Sequence, residues 1–150
     1  PRRPNVAYAD GVYLLTWLDL TTQSVRGVRA SAADLTLLDA QPIVFGASPT
    51  SPWVQPPTAS DGDGFAVAVL TSPGVPGVPY FHKLYRIGTT GPVMNPAGYQ
   101  VNASGGGAPQ LVWSGTHWVM AWSMGGRIEV RSIKGVGSTF AVTLPRCVGE

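Results

Sequence analysis

Charged residues are scarce in this chain: they make up 12% of its 150 residues, and the formal net charge is only +2. The ten basic residues are scattered along the sequence and form no run. A protein that binds nucleic acid needs a basic stripe or patch to contact the phosphates. The composition therefore predicts that nucleic acid is not a partner.

The chain also lacks helical periodicity, cysteine pairs and long apolar runs. No segment carries an apolar stripe at helical spacing over three turns, and residues 30–38 come nearest. Cys147 is the only cysteine, which excludes a disulfide within the chain. The longest strongly apolar run, residues 65–70, is far shorter than the ~18 to 20 residues of a membrane helix. We expect no membrane span.

Glycine and proline are abundant, with 19 and 14 copies, and both residues mark turns and interrupt helices. The apolar share is 44%, much of it valine and aromatic residues, which favour strands and argue against disorder. These features predict an all-β protein with a packed core.

The first third of the chain reads as four strands. Asp10-Gly11 is a strong hairpin signal, because both central residues of the favoured turn need positive φ. Apolar residues alternate on both sides of it, at Val6, Tyr8, Tyr13, Leu15 and Trp17. Residues 24–30 follow as a third strand, and a fourth leads through Pro42 to Ile43 and Phe45.

The same pattern recurs in the other two thirds. After Pro57, residues 61–64 form the turn, and residues 65–70 lack any polar side chain, which is typical of a strand buried on both faces. The predicted third and fourth strands there are 81–87 and 93–101. After Pro109, the predicted strands are 111–113, 118–122, 127–133 and 140–144.

The three thirds share a register. The spacing between Pro4, Pro57 and Pro109 is 53 and then 52 residues, and Trp17, Leu70 and Trp122 each lie 13 residues after those prolines. Residues 38–48 align without gaps on residues 94–104.

A period near 50 with four strands per unit predicts β-propeller blades. The predicted units are residues 4–48, 57–104 and 109–144, in a single all-β domain spanning 1–150. Three blades do not close a ring, so we expect a fragment of a longer propeller or several copies that assemble. A β-trefoil, which also has three four-stranded units in about 150 residues, is the alternative.

The stretches PNVAYADGVYLLTW, APQLVWSGTHWVMAW and GVRASAADLTLLDAQPI resemble the repeats of bacterial cell-surface and secreted propeller proteins, many of them uncharacterised lipoproteins. The resemblance covers roughly residues 4–144. It implies an extracellular or cell-surface location and a ring of more than three blades. Its motifs are structural and imply no active site.

Three residues are the candidate ligand-binding site: Trp53, Asp19 and Tyr80. In propellers, the connection between blades and the loop between strands two and three share one rim, so these residues can face the same side. An aromatic face beside polar groups suits a sugar or a peptide. The alternative role for Trp53 is to fill the gap between two blades.

Other motifs predict less chemistry. His82 and His117 lack the spacing of a zinc site, and we expect strand or turn histidines with hydrogen-bond partners. Residues 61–64 resemble half a calcium loop, but the apolar run that follows supplies no further carboxylate, which favours a hairpin turn. Residues 134–145 resemble the last turn and strand of the ATP-binding domain of sensor histidine kinases, without its Asp-x-Gly-x-Gly box.

The sequence therefore predicts a non-catalytic binding or scaffold module of an exported propeller, without a cofactor or a metal, that presents its rim loops to a protein or glycan. Two alternatives remain open. The chain could belong to a propeller hydrolase or lyase whose catalytic groups lie in missing blades, or it could be a sensor segment of a signalling protein.

Overall fold

The computed structural model describes residues 2–47, 55–71, 79–102, 106–124, 127–134 and 138–144, and these form strands, turns and irregular connections without a helix. The all-β prediction is confirmed. The strands form three antiparallel sheets, and each sheet takes four consecutive strands from one third of the chain.

Sheet 1 contains β1 (Arg2–Ala9), β2 (Val12–Asp19), β3 (Ser24–Ser31) and β4 (Ile43–Ala47). Sheet 2 contains β5 (Thr58–Ser60), β6 (Gly64–Thr71), β7 (Phe81–Gly88) and β8 (Tyr99–Gln100). Sheet 3 contains β9 (Gln110–Trp113), β10 (His117–Met124), β11 (Arg127–Lys134) and β12 (Ser138–Leu144). In each sheet the strand order follows the chain order.

The β1–β2 hairpin forms at the predicted pair. Tyr8 lies opposite Tyr13 and Ala9 opposite Val12, which leaves Asp10 and Gly11 as the turn, with φ of 39° and 73°. Asp10 tolerates this left-handed conformation because aspartate is among the non-glycine residues that adopt it most readily. The short turn fixes the register of β1 on β2.

Sheet 2 lies between the other two sheets and has two apolar faces. One face of β6, with Phe65 and Val67, joins a core cluster with side chains of sheet 1. The other face, with Ala66 and Ala68, joins a second cluster with side chains of sheet 3. Every residue of the run 65–70 is buried, as the absence of polar residues predicted.

The fourth strands of sheets 1 and 2 are shorter than predicted, and the predicted strand 93–101 is wrong in most of its length. Only Tyr99 and Gln100 pair with β7, and Val93 forms an isolated bridge to Ile87. Between them, the Asn95 side chain replaces the main chain of a partner strand: its Oδ1 accepts from the Arg86 N–H at 2.6 Å, and its Nδ2 donates to the Leu84 carbonyl at 2.9 Å.

The same arrangement occurs in sheet 1. There Asp39 Oδ2 accepts from the Arg29 N–H at 2.7 Å, and the Leu38 N–H donates to the Arg29 carbonyl at 2.9 Å. In sheet 2, the Met94 N–H donates to the Arg86 carbonyl at 2.8 Å. These bonds agree with the predicted gapless alignment of 38–48 on 94–104, and they explain why both fourth strands are interrupted.

The predicted alignment of Leu70 with Trp17 and Trp122, counted from the three prolines, is wrong by one residue in the second third of the chain. Leu70 alternates with Val69 along β6 and pairs with His82, which contacts Trp122, so Leu70 lies on the face toward sheet 3 with Ala66 and Ala68. Trp122 faces back toward sheet 2. Val69 is on the opposite face of β6, toward sheet 1. The residue of β6 that corresponds to Trp122 is therefore Val69, which lies 13 residues after Pro56 rather than Pro57.

Candidate functional site

Two hydrogen bonds align sheet 1 with sheet 2. Asn5 Nδ2 donates to the Pro56 carbonyl at 3.3 Å at one end of the sheets, and Arg29 Nη1 donates to the Gly88 carbonyl at 3.2 Å at the other. The β2–β3 and β6–β7 connections therefore lie at the same end, which we call the rim. The connections between sheets also arrive at the rim, because β1 and β5 begin there.

Asp19 ends β2 at the rim, and its carboxylate holds the connection in place. Oδ1 accepts from the N–H of Thr21 at 3.0 Å and of Thr22 at 3.4 Å, and Arg26 Nε lies 3.2 Å from Oδ2. The hydrogen bond from the Thr22 side chain, with those of the two N–H groups and the Arg26 charge, lowers the pKa of Asp19 from its usual value despite some desolvation. Asp19 is thus a fixed negative charge beside two exposed threonines.

Tyr80 immediately precedes β7 on the corresponding connection of sheet 2, and 38% of it is exposed. Its neighbour Phe81 has the Lys83 ammonium 5.9 Å from its ring centroid, and Lys83 Nζ donates to the Ala97 carbonyl at 2.8 Å. Tyr80 and Asp19 therefore share the rim, on neighbouring sheets. Trp53, the third predicted residue, lies outside the described residues.

A buried polar cluster surrounds His82, where sheets 2 and 3 meet near the rim, and no motif in the sequence indicated it. His82 is fully buried, its Nε2 lies 3.0 Å from the Gly107 carbonyl, and its N–H donates to Asn102 Oδ1 at 2.6 Å. The imidazole packs on the indole of Trp122, with ring centroids 5.0 Å apart. Only packing between sheets brings these residues together, since His82 and Trp122 lie 40 residues apart.

Burial lowers the pKa of His82 below 6.5, against the opposing effects of the Gly107 and Asn102 hydrogen bonds and of the Glu129 charge. A neutral imidazole can donate to the Gly107 carbonyl only from a protonated Nε2. Nδ1 is then an acceptor, and it has no hydrogen-bond partner among the described residues. The cluster therefore fastens the connection between sheets 2 and 3.

The other predicted motifs have structural contacts. Nδ1 of His117 lies 2.8 Å from the Thr116 hydroxyl, as expected for a turn histidine. Asp61 Oδ1 accepts from the N–H groups of Asp63 and Gly64, and Arg86 Nη2 lies 2.9 Å from its Oδ2. Within the described ranges, no three His, Cys, Asp or Glu side chains group as metal ligands would.

The outer face of sheet 1, which points away from sheet 2, is apolar and open. It contains a groove of about 340 Å³. The groove is lined by Val6, Tyr13, Leu15, Ala30, Leu35 and Leu37.

Comparisons with known proteins returned no matching family model, no matching curated protein and no matching solved structure. In the part of the chain that the structure describes, there is no helix with the length and apolarity that crossing a membrane would take.

Proposed function

We propose that this chain is a non-catalytic binding or scaffold module, which contributes three blades to an exported bacterial β-propeller and presents its rim to a protein or glycan. The observation that carries the proposal is the contact between first strands: β1 adjoins β5, and β5 adjoins β9. Propeller blades are four-stranded sheets arranged around a central channel, so one edge strand of each blade lies beside its counterpart in the next.

The set of strands that forms each sheet favours propeller blades over a β-trefoil. A trefoil closes one barrel from strands of all three units, and such a barrel would pair strands from different thirds of the chain. Here the strands of each sheet come from a single third, and the sheets meet through side chains. This is how blades stack, because a single sheet cannot bury both of its faces alone.

The rim supports a binding role. Asp19 supplies an ionised carboxylate, which can accept hydrogen bonds from sugar hydroxyls or from the amides and cations of a peptide. Tyr80 supplies a half-exposed ring on the neighbouring connection, and aromatic faces stack on sugars and on peptide side chains. Trp53 is a second aromatic candidate for ligand contact, because its place in the sequence is in the connection between sheets 1 and 2.

A glycan array and a peptide panel, followed by titration of any ligand found, test this proposal. We expect Asp19→Asn with Tyr80→Ala to weaken binding about tenfold, which corresponds to ~1.4 kcal/mol, and Trp53→Ala to weaken it as well. Circular dichroism should show that the variants keep their β structure.

The matched control is Asp63→Asn with Tyr99→Ala, which removes the same two groups from exposed positions outside the rim. Equal affinity for the rim and control variants would contradict the assignment of the site. Failure to bind any glycan or peptide would contradict the binding role itself.

A further inference from the structure

The outer face of sheet 1 corresponds to the face of sheet 2 that packs on sheet 1. Matching residues on these two faces differ sharply in exposure. Leu15 lies in the middle of β2 and is 39% exposed, whereas Val67 in the middle of β6 is fully buried against sheet 1. Leu37 and Val93 form the same isolated bridge to the third strand of their sheets. Val93 packs on the core cluster, but Leu37 is 67% exposed.

The side chains of this face resemble those of a sheet interface rather than a solvated surface. Val6 and Tyr8 on β1 are 57% and 55% exposed, and Leu35 is 68% exposed. Val6 and Leu35 line the groove of about 340 Å³, together with Tyr13, Leu15, Ala30 and Leu37. Contiguous apolar surface of this kind marks an interaction site in soluble proteins.

At the opposite end of the row of sheets, the outer face of sheet 3 is a second apolar face that no other described strand covers. Trp118, Met120 and Trp122 point from β10 toward sheet 2 and are buried. The alternate residues of β10, Val119 and Ala121, point outward and are only half-buried. On the strands beside them, Val112 is 56% and Ile128 is 51% exposed on the same outer face.

We infer that the outer face of sheet 1 binds the outer face of sheet 3 from a second copy of this chain. The contact would continue the stacking by which sheet 1 covers sheet 2 and sheet 2 covers sheet 3. It is head-to-tail, so two copies can close into a ring through two identical contacts. The ring would hold six blades, within the typical propeller range of about four to eight. This inference rests on the blade arrangement of the proposed function.

The mass of the unmodified chain in solution, measured by light scattering or sedimentation equilibrium at the highest soluble concentration, is the first test. We expect twice the chain mass of 15.7 kDa. A mass of one chain, or of three or more, would overturn the two-copy ring. A single-chain mass would leave the rim proposal standing, since ligand titration tests that proposal separately.

Variants then identify the faces. Leu37→Glu places a charge on the sheet 1 face, and Ile128→Glu places one on the sheet 3 face. Both residues are more than half exposed, so the fold of each variant should persist, and its circular dichroism should match that of the unmodified chain. We expect each variant alone to lose the closed ring and sediment as a single chain. Met94→Glu, at a residue 61% exposed between β7 and β8, is the control and should keep the double mass.

Mixing the two face variants distinguishes a head-to-tail contact from a symmetric one. In the mixture, the intact sheet 1 face of the Ile128→Glu chain can bind the intact sheet 3 face of the Leu37→Glu chain. We expect the double mass to return in part, through one contact per pair. If only Leu37→Glu abolishes the dimer, and mixing restores nothing, then two sheet 1 faces meet each other and the head-to-tail inference is wrong.

Discussion

Arg29 in sheet 1 donates a hydrogen bond from Nη1 to the main-chain carbonyl of Gly88 in sheet 2, at 3.2 Å. The same guanidinium forms an ion pair with Asp39, and both side chains are about nine-tenths buried. Arg29 therefore connects three parts of the fold: its own strand, the connection that carries Asp39, and the neighbouring sheet. Arg86 has the corresponding position in sheet 2, where its guanidinium lies 6.0 Å from the ring centroid of Trp118 in sheet 3.

We expect Asp39→Asn to destabilise the chain by about 3 kcal/mol, because it leaves the buried Arg29 charge without its counter-ion. Urea unfolding at neutral pH measures the change. Asp63→Asn also removes one carboxylate, but from an exposed turn, and is the matched control. Equal midpoints for the two variants would show that the Arg29–Asp39 pair contributes no net stability.

The Arg29–Asp39 pair also predicts a loss of stability in acid. Desolvation opposes ionisation of Asp39, but the hydrogen bonds and charge of Arg29 outweigh it, and its pKa lies below 3.8. The contribution is therefore present above about pH 3.8 and is lost as the pH falls through the folded-state pKa. The fall in unfolding free energy over this range should be smaller in Asp39→Asn than in the unmodified chain. Parallel curves would contradict the prediction.

Burial of neutral His82 predicts a second pH dependence, at higher pH. Its pKa is lowered in the folded chain, so the unfolded chain binds a proton more readily. Stability should be complete above about pH 6.5 and decrease as the pH falls from there toward the folded-state pKa. We expect His82→Gln to show a smaller decrease between about pH 7.5 and 5.5. An unchanged slope in the variant would mean that His82 does not cause the effect.

Gly106 is fitted closely between His82 and Trp122. A Cβ at this position would lie 2.5 Å from Cε1 of the imidazole and 2.7 Å from Cδ1 of the indole. Gly106 also has a backbone φ of +124°, which residues with a side chain rarely adopt. We expect Gly106→Ala to lower the unfolding free energy by about 3 kcal/mol, the combined effect of overlap and backbone strain.

Gly115 separates those two effects, because it has φ of +92° but open space around a Cβ. Gly115→Ala should therefore report backbone strain alone, about 1 kcal/mol. Thermal or urea unfolding of both variants gives the comparison. If the two variants lose the same stability, the close packing at Gly106 contributes nothing beyond its backbone conformation.

Local sequence patterns predicted those strands whose position is fixed by a neighbouring turn or by the polarity of the strand itself. The Asp10-Gly11 turn and the alternation around it gave the first hairpin, because turn geometry fixes the pairing of the strands beside it. The wholly apolar run 65–70 gave a central strand, because only a strand covered on both faces has no polar side. The fourth strand of sheet 2 was not predictable in this way, since the Asn95 side chain takes the place of main-chain pairing.

Local patterns also did not predict which face of its sheet a strand residue occupies. Trp17 and Trp122 hold the same place in the sequence pattern, yet Trp122 is buried under sheet 2 whereas Trp17 is only partly buried on the open face of sheet 1. Arg131 follows an apolar residue, as Arg29 and Arg86 do. However, Arg131 pairs with Met120 on the face toward sheet 2, whereas Arg86 points toward sheet 3. A shift of one residue reverses the face of a strand residue.

The amino-acid sequence by itself determined that the chain forms strands, where most of its turns lie and which strand has no solvent-facing side, because these depend on neighbours a few residues apart. Tertiary structure alone decided that His82 meets Trp122, that Arg29 reaches Gly88, and that Leu37 stays exposed while Val93 is covered. Those contacts join residues of different sheets. They depend on how whole sheets stack, which short-range sequence spacing does not encode.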